Sequence, residues 1–271
     1  MSHWRISKPF VESMDKTVTP FKATWIFDQL AIIGDKNLAC FLYDTSDGYV
    51  LLDCMDTDER SIDILENSFI DLNINPAEIK EILITHGHRD HYGTAKYIHE
   101  KYGSAVKMSK GDYQLAITPK GPVDFSLKLT LDSFIEDEDI IEYDGGQIRI
   151  VSTPGHTPSC LSFIVKVTDE GRPHYICLWG GTGIYPSTDI DKYLESIEKL
   201  RAICNSMNVD GEISNHPYTD NTDQRLNVLQ NITDGVPNPF IIGNAAFNRY
   251  MDMFKDYAHR KLIERNGMTG M

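Results

Sequence analysis

Hydrophobic and polar residues alternate along the first part of the chain in the patterns of short strands and amphipathic helices. Two apolar runs, at residues 38–43 and 49–53, flank the polar turn 44–48 and predict a β-hairpin. A helix is predicted to begin at residues 58–61, where acidic side chains suit the positive end of the helix dipole. The apolar positions of this helix are three and four residues apart and predict its buried face: Ile62, Leu65 and Phe69.

The apolar run 81–84 predicts a further strand, and a helix is predicted from residue 94 to residue 102, ending at Gly103. The second half of the chain repeats this mixture of apolar runs and helical periodicity. Strands are predicted at residues 147–151, 161–167, 174–179 and 211–214, and helices at residues 190–204 and 245–262. We interpret residues 1–271 as a single domain of the α/β class.

Residues 117–139 show neither the alternation of a strand nor the periodicity of a helix, and they include two prolines and the acidic run 136–139. One interpretation is a solvated loop with a charged face. The other is that part of the segment overhangs a binding site and shapes its pocket. The sequence leaves both interpretations open.

Composition and charge narrow the classes of partner. With 271 residues, of which 41% are hydrophobic and 24% charged, the chain is long enough to bury a large core. Its 40 acidic residues against 26 basic ones give a formal charge of -14, which repels nucleic acids and anionic membranes at long range. We therefore expect neither a nucleic acid nor a membrane as partner, and the sequence leaves the oligomeric state open.

The five cysteines are odd in number and mostly lie in apolar runs, which predicts buried, reduced thiols rather than disulfides. Residues 1–10 contain no unbroken apolar segment of the kind that signal peptides carry, and no later stretch approaches the length of a membrane span. We predict a cytoplasmic location.

Metal-binding side chains are concentrated just after the predicted strand 81–84, where His86, His88, Asp90 and His91 occupy four of six positions. Residues two apart in an extended chain point the same way, so His86 and His88 can bind one cation together. If the chain turns after His88, Asp90 and His91 fall in the turn and face a second cation. Histidines near a strand end can instead be packing or surface residues, but four ligand-type residues so close together favour a metal site.

The motif His86-x-His88-x-Asp90-His91 resembles the signature of the metallo-β-lactamase superfamily. The resemblance implies a four-layered αβ/βα sandwich, the metallo-β-lactamase fold, with two metal ions between its sheets. It extends to the Thr-Pro-Gly-His-Thr-Pro sequence at 153–158 and to the histidine of Asn-His-Pro at 215–217. The cofactors implied are two Zn²⁺ ions per chain, the first held by His86, His88 and His156 and the second by Asp90, His91 and His216.

Asp53 closes the second strand of the predicted hairpin, where an aspartate can simply begin a turn. The resemblance implies instead that its carboxylate orients a ligand histidine. Most hydrolases of the superfamily also have an aspartate that bridges the two metals. This chain has no acidic residue between Glu170 and Asp189, and Gly181 stands at the aligned position. Without that aspartate, and without a cysteine nearby, the chain resembles subclass B3 of the β-lactamases most closely.

The resemblance implies a metal-dependent hydrolase of small molecules, in which Asp90 orients the hydroxide that attacks a carbonyl of a cyclic amide, lactone or ester. Subclass B3 enzymes bind the β-lactam carboxylate with two serines, and the aligned residues here are Thr182 and Ile184. Thr182 keeps a hydroxyl for substrate contact, whereas Ile184 cannot form a hydrogen bond. We therefore expect β-lactam hydrolysis to be weak or absent. The alternatives are a lactonase, a glyoxalase II-like thioesterase, or a metal-binding homologue without activity.

Overall fold

The computed structural model describes residues 17–119, 123–131, 133–233 and 235–267, so residues 1–10, searched above for a signal peptide, lie outside it. Its first sheet has six strands in chain order, antiparallel from β1 to β4 and parallel from β4 to β6. These strands are β1 Thr24–Phe27, β2 Leu30–Gly34, β3 Ala39–Asp44, β4 Tyr49–Leu52, β5 Ile79–Leu83 and β6 Ala105–Lys107.

The second sheet has five strands in the order β11-β10-β9-β8-β7. Its pairs are antiparallel except for β10 and β11, which run parallel. The strands are β7 Ile140–Tyr143, β8 Gly146–Ser152, β9 Leu161–Asp169, β10 Arg172–Leu178 and β11 Gly211–Ile213.

Helices flank the two sheets. They are α1 Glu59–Asp71, α2 Arg89–Tyr92, α3 Ala95–Tyr102, α4 Lys110–Ile117, α5 Ile190–Ser206, α6 Thr222–Gln230 and α7 Asn244–Arg265. Two single-turn 3-10 helices are Pro76–Glu78 and Pro217–Thr219. Side chains of α1 and α3 pack on the first sheet, and those of α5 and α7 pack on the second, so the four-layered αβ/βα sandwich is confirmed.

Strand β3 shows how a run of six residues serves two cores. Successive side chains of a strand point to opposite faces. Phe41 and Tyr43 pack between the two sheets, whereas Cys40 and Leu42 pack beneath the helices of the first sheet. An apolar run without alternation is therefore what a strand buried on both faces requires.

The register of the parallel pair β4 and β5 places the metal-binding motif. Leu52 lies opposite Leu83, so Asp53 and Thr85 leave the carboxyl ends of neighbouring strands side by side. The backbone N–H of Asp53 donates to the Leu83 carbonyl over 2.9 Å, which extends the pairing by one step. The hairpin formed by β3 and β4 is as predicted.

Three local predictions are wrong in whole or in part. Asp90 and His91 lie in the short helix α2 rather than in a turn, because the chain begins a helical turn directly after His88. In α1 Leu65 and Phe69 are buried as predicted, but the third apolar position of the buried face is Ile64, and Ile62 is only partly covered. The interpretation of 117–139 as a solvated loop holds for the exposed acidic run 136–139 and is wrong for three buried side chains: Leu127, Leu131 and Ile135.

All five cysteines are buried with free thiols, as predicted. Within the described residues no helix combines the length and the hydrophobicity needed to cross a bilayer. The single-domain organisation and the cytoplasmic location stay predictions.

Replacing Phe41 by Ala tests the packing between the sheets. Phe41 is 0% exposed in the intersheet core, so the cavity left behind is expected to cost about 3–5 kcal/mol of unfolding free energy. Ile70→Ala is the matched control, because Ile70 is 75% exposed and its loss is expected to change stability by less than about 0.5 kcal/mol. Urea unfolding of both variants measures the difference, and equal values would contradict the packing described.

Candidate metal centre

The six predicted ligands come from four chain segments that meet at one edge of the sandwich. His86 and His88 follow β5, and Asp90 and His91 lie in α2. His156 lies in the connection between β8 and β9, and His216 lies just beyond β11. The structure collects these residues into two groups, whose candidate ligand atoms all lie within 4.8 Å of one another in each group: His86, His88 and His156, and Asp90, His91 and His216.

The ring nitrogens of the first group form a compact triangle. His86 Nε2 lies 3.2 Å from His88 Nδ1, and His156 Nε2 lies 3.1 Å from each of those atoms. Tetrahedral zinc with nitrogen ligands at about 2.0–2.1 Å separates those ligands by roughly 3.3 Å. The three rings are therefore already spaced as ligands of one such ion.

Carbonyl oxygens fix the protonation of one ring in each group, His156 in the first and His216 in the second. His156 Nδ1 lies 2.6 Å from the Gly183 carbonyl oxygen, and His216 Nδ1 lies 3.1 Å from that of Asn37. Because a carbonyl only accepts hydrogen bonds, Nδ1 carries the proton in both rings and Nε2 keeps its lone pair when the ring is neutral. Such outer contacts are how proteins orient metal-binding histidines.

Asp53 does the same for the rings of His86 and His91. Its Oδ2 lies 2.8 Å from His91 Nδ1, and it also accepts the Thr85 hydroxyl, whose oxygen lies 3.0 Å from His86 Nδ1. Both Nδ1 atoms therefore donate, which leaves the two Nε2 atoms to face the site. The structure places Asp53 where the resemblance implies that it orients a ligand.

The second group adjoins the first. Asp90 Oδ2 lies 3.5 Å from His91 Nε2 and 3.9 Å from His216 Nε2. His91 Nε2 is buried and has no hydrogen-bond partner among the described residues. The rings of His86 and His91 lie 4.0 Å apart between centroids, so the two groups share a wall.

Burial and charge act in opposite directions on these histidines. Burial holds the pKa of His86 well below its usual range and lowers the pKa of His156 to about 3. Burial also acts to lower the pKa of His91, but the carboxylates of Asp90 and Asp53 overcome it and raise that pKa to about 10. Without a metal, His91 thus carries a proton that a cation at the same place would replace.

The residues fit two divalent cations. Three lone pairs converge within 3.2 Å in the first group, where they repel one another unless a positive charge lies between them. In the second group a buried imidazole nitrogen without a partner faces a carboxylate, which is the donor set that zinc accepts.

The buried Asp112, in α4, ties the two halves of the site together. Its Oδ2 accepts the Gly87 backbone N–H over 2.9 Å and the Thr157 hydroxyl over 2.5 Å, and its Oδ1 accepts the Ser159 N–H over 3.0 Å. Gly87 separates two ligand histidines, and Thr157 follows the third. No local pattern in the sequence indicates this role, because an aspartate in the first turn of a helix is common for dipole reasons alone.

Gly181 is packed directly against a ligand. A Cβ atom at residue 181 would lie 2.6 Å from the Cβ of His156, closer than side-chain carbons approach one another. An aspartate at this position would therefore displace His156. The backbone at residue 181 thus leaves no room for the bridging carboxylate that this chain lacks.

A cavity of about 390 Å³ opens beside His88 and Asp90. Thr118, Phe125 and Ser126 line it, so part of segment 117–139 does overhang the site, as the second interpretation predicts. Thr182 is 3% exposed and does not line this cavity, and its hydroxyl oxygen has no hydrogen-bond partner among the described residues. Its contact with substrate stays a prediction.

The profile of the metallo-beta-lactamase superfamily matches residues 34–171, more than half of the chain. Hydroxyacylglutathione hydrolase GloC of Haemophilus influenzae is 28% identical over 166 residues, which are 58% of this chain and 74% of that protein. The chain belongs to the metallo-beta-lactamase superfamily, as its motifs predicted, and it is a metal-dependent hydrolase.

Two solved structures align along nearly the whole chain. BJP-1, a subclass B3 metallo-beta-lactamase of Bradyrhizobium japonicum, has a TM-score of 0.80 at 22% identity, covering 95% of this chain and 99% of that one. The FEZ-1 metallo-beta-lactamase of Legionella gormanii has a TM-score of 0.82 at 21% identity, covering 93% and 99%. At these identities the likeness establishes the fold.

Gly181→Ala is expected to reduce metal binding, because its methyl group pushes the His156 side chain out of the first group. We expect at least a tenfold weaker affinity for the ion, measured by competition with a chromogenic chelator. Gly103→Ala is the control: it strains a left-handed backbone but meets no described atom within 4 Å. Gly103→Ala should lose some stability and keep its metal; an equal loss of metal in both variants would contradict the packing argument.

Asp112→Asn is expected to weaken metal binding by about 10- to 100-fold without unfolding the chain. An amide cannot accept all three of the hydrogen bonds that the carboxylate accepts, so the loops carrying Gly87 and Thr157 separate. Asp63→Asn, on the exposed side of α1, is the control. Chelator competition together with circular dichroism measures both properties, and unchanged affinity would show that Asp112 has no positioning role.

Proposed function

We propose that the chain is a dinuclear zinc hydrolase of small carbonyl compounds. His86, His88 and His156 hold one ion, and Asp90, His91 and His216 hold the other. The observation that carries this proposal is the shared wall between the two groups, with the His86 and His91 rings 4.0 Å apart. Sites that share a wall in this way suit two ions acting on one substrate.

When bound, two zinc ions supply a nucleophilic hydroxide at neutral pH and polarise the carbonyl under attack. The side chains of this chain do the rest. In the metal-free chain Asp90 is ionised, because despite its burial the positive charge on His91 holds its pKa far below the usual range. A cation in place of the His91 proton would keep Asp90 ionised in the same way. The Asp90 carboxylate would help to hold the second ion and could orient an attacking hydroxide by accepting a hydrogen bond from it.

The cavity supports a small-molecule substrate. Its volume of about 390 Å³ is at the small end of the range, roughly 300–1,000 Å³, that ligand sites usually have. Cyclic amides, lactones and esters fit this size. The formal charge of -14 remains the reason to expect no nucleic acid partner.

β-Lactam hydrolysis is expected to be weak. Ile184 stands where subclass B3 enzymes are expected to bind the β-lactam carboxylate, and its 9% exposed side chain offers no hydrogen bond. A thioesterase is the second candidate, supported by the similarity to the Haemophilus influenzae hydroxyacylglutathione hydrolase. The space denied to an acid at Gly181 counts against it.

Hydrolysis of a carbonyl panel tests the proposal. The zinc-loaded chain is assayed on a chromogenic cephalosporin, an acyl lactone, an aryl ester and a hydroxyacyl thioester, each with and without a chelator. We expect turnover of a lactone or ester that the chelator abolishes and that added zinc restores. Turnover that ignores the chelator, or no turnover by a chain holding two ions, would show that the proposal is wrong.

His91→Ala is expected to lower the zinc content from two ions per chain to one. No bridging carboxylate compensates here, so the second ion would retain only Asp90 and His216. His174→Ala is the control, because that histidine is held by Asp210 outside both groups. Metal analysis after dialysis gives the count, and two ions in His91→Ala would contradict the assigned donor set.

A further inference from the structure

One cationic side chain stands in the mouth of the cavity. Arg89 lies between two candidate ligands, His88 and Asp90, in the motif itself. Among the described residues that line the cavity it is the sole lysine or arginine. Its side chain is 46% exposed, so its guanidinium can meet a ligand without first being uncovered.

Two neighbours hold this guanidinium in place. Its central carbon lies 4.6 Å above the centre of the Phe125 ring, within the range of a cation–π interaction. One terminal nitrogen lies 3.4 Å from Asp56 Oδ2, an ion pair too long for a strong hydrogen bond. Phe125 is itself anchored, because its carbonyl oxygen lies 3.2 Å from the Tyr92 hydroxyl.

We propose that Arg89 binds a carboxylate of the substrate, so that the chain prefers acyl substrates bearing one carboxylate and an apolar arm. This inference rests on the proposed hydrolase function and names its substrate class. The guanidinium keeps donors beyond the one facing Asp56, and a fork of N–H groups matches a carboxylate. Leu115 and Phe125 supply the apolar wall beside it.

A single guanidinium favours a carboxylate over a phosphate. Asp56 already offsets part of the arginine charge, and no second lysine or arginine is among the described residues that line the cavity. The Arg89 side chain therefore offers one partly neutralised positive charge, which suits a monoanion better than a dianion.

Three matched esters test the preference. 4-Nitrophenyl 4-carboxybenzoate carries a free carboxylate that cannot reach its own ester, its methyl ester carries none, and a phosphonate analogue carries a dianion. For the zinc-loaded native chain we expect kcat/KM to be higher for the acid than for the other two. In Arg89→Gln the ratio of kcat/KM for the acid to kcat/KM for the methyl ester should fall about tenfold. In Arg89→Lys this ratio should lie between those of the native chain and Arg89→Gln.

Lys80→Gln is the control. Lys80 is 47% exposed and pairs with Asp47 at the start of β5, away from the motif that follows the end of that strand. It removes the same charge and should leave the ratio unchanged. The inference is wrong if Arg89→Gln and the native chain show the same ratio, or if the native chain prefers the phosphonate. Metal-dependent turnover in the same assays would still support the hydrolase proposal.

Binding provides a readout that does not depend on turnover. Calorimetry of the zinc-loaded chain compares phenylacetate with phenylacetamide, which differ in charge but hardly in shape. The native chain should favour the anion, and Arg89→Gln should lose about tenfold of that preference. If Arg89→Gln prefers phenylacetate as strongly as the native chain does, the carboxylate site is wrong. If the two chains differ in this preference but no ester is hydrolysed, only the hydrolase proposal is wrong.

Discussion

The buried carboxylate of Asp53 is the interaction on which the site depends. It is 1% exposed and accepts hydrogen bonds from the Thr85 backbone N–H at 2.7 Å, from His91 at 2.8 Å and from the Asn215 side chain at 3.1 Å. A buried charge is costly unless hydrogen-bonded, and here every donor belongs to a segment that carries a candidate ligand. Its backbone has a φ of +58°, a conformation that aspartate tolerates better than most residues.

The hydrogen bond from Asn215 joins the two sheets through this carboxylate. Asn215 precedes the candidate ligand His216 and follows β11 of the second sheet, whereas Asp53 follows β4 of the first. Asp112 makes a second connection of the same kind, from the loop of His86 and His88 to that of His156. The candidate centre is thus held by two buried carboxylates, each of which spans both halves of the sandwich.

The absence of a bridging acid is connected with this arrangement. His156 packs on Gly181, whose carbonyl oxygen accepts the Trp179 indole N–H over 2.6 Å, so the backbone there is fixed close to the ring. The chain therefore positions its ligands by outer hydrogen bonds and close backbone packing. Beside His88 and Asp90, the cavity is lined by Arg89 and Phe125, whose guanidinium and ring lie 4.6 Å apart.

The sequence alone predicted the ligands that lie close together in the chain and the elements that have a clear period. His86, His88, Asp90 and His91 were found from their spacing, whereas His156 and His216 were assigned through the family resemblance. The role of Asp112 depends on contacts 25 and 45 residues away, which no local pattern records.

The overhang of segment 117–139 was also decided by tertiary structure. Leu127 packs into the core beneath the helices of the first sheet and Ile135 into the core between the sheets. An irregular segment that serves two cores shows no period, although its apolar residues are buried. Local spacing determined which residues can bind metal, and long-range packing determined how they are oriented and what lies over them, because orientation depends on partners distant in sequence.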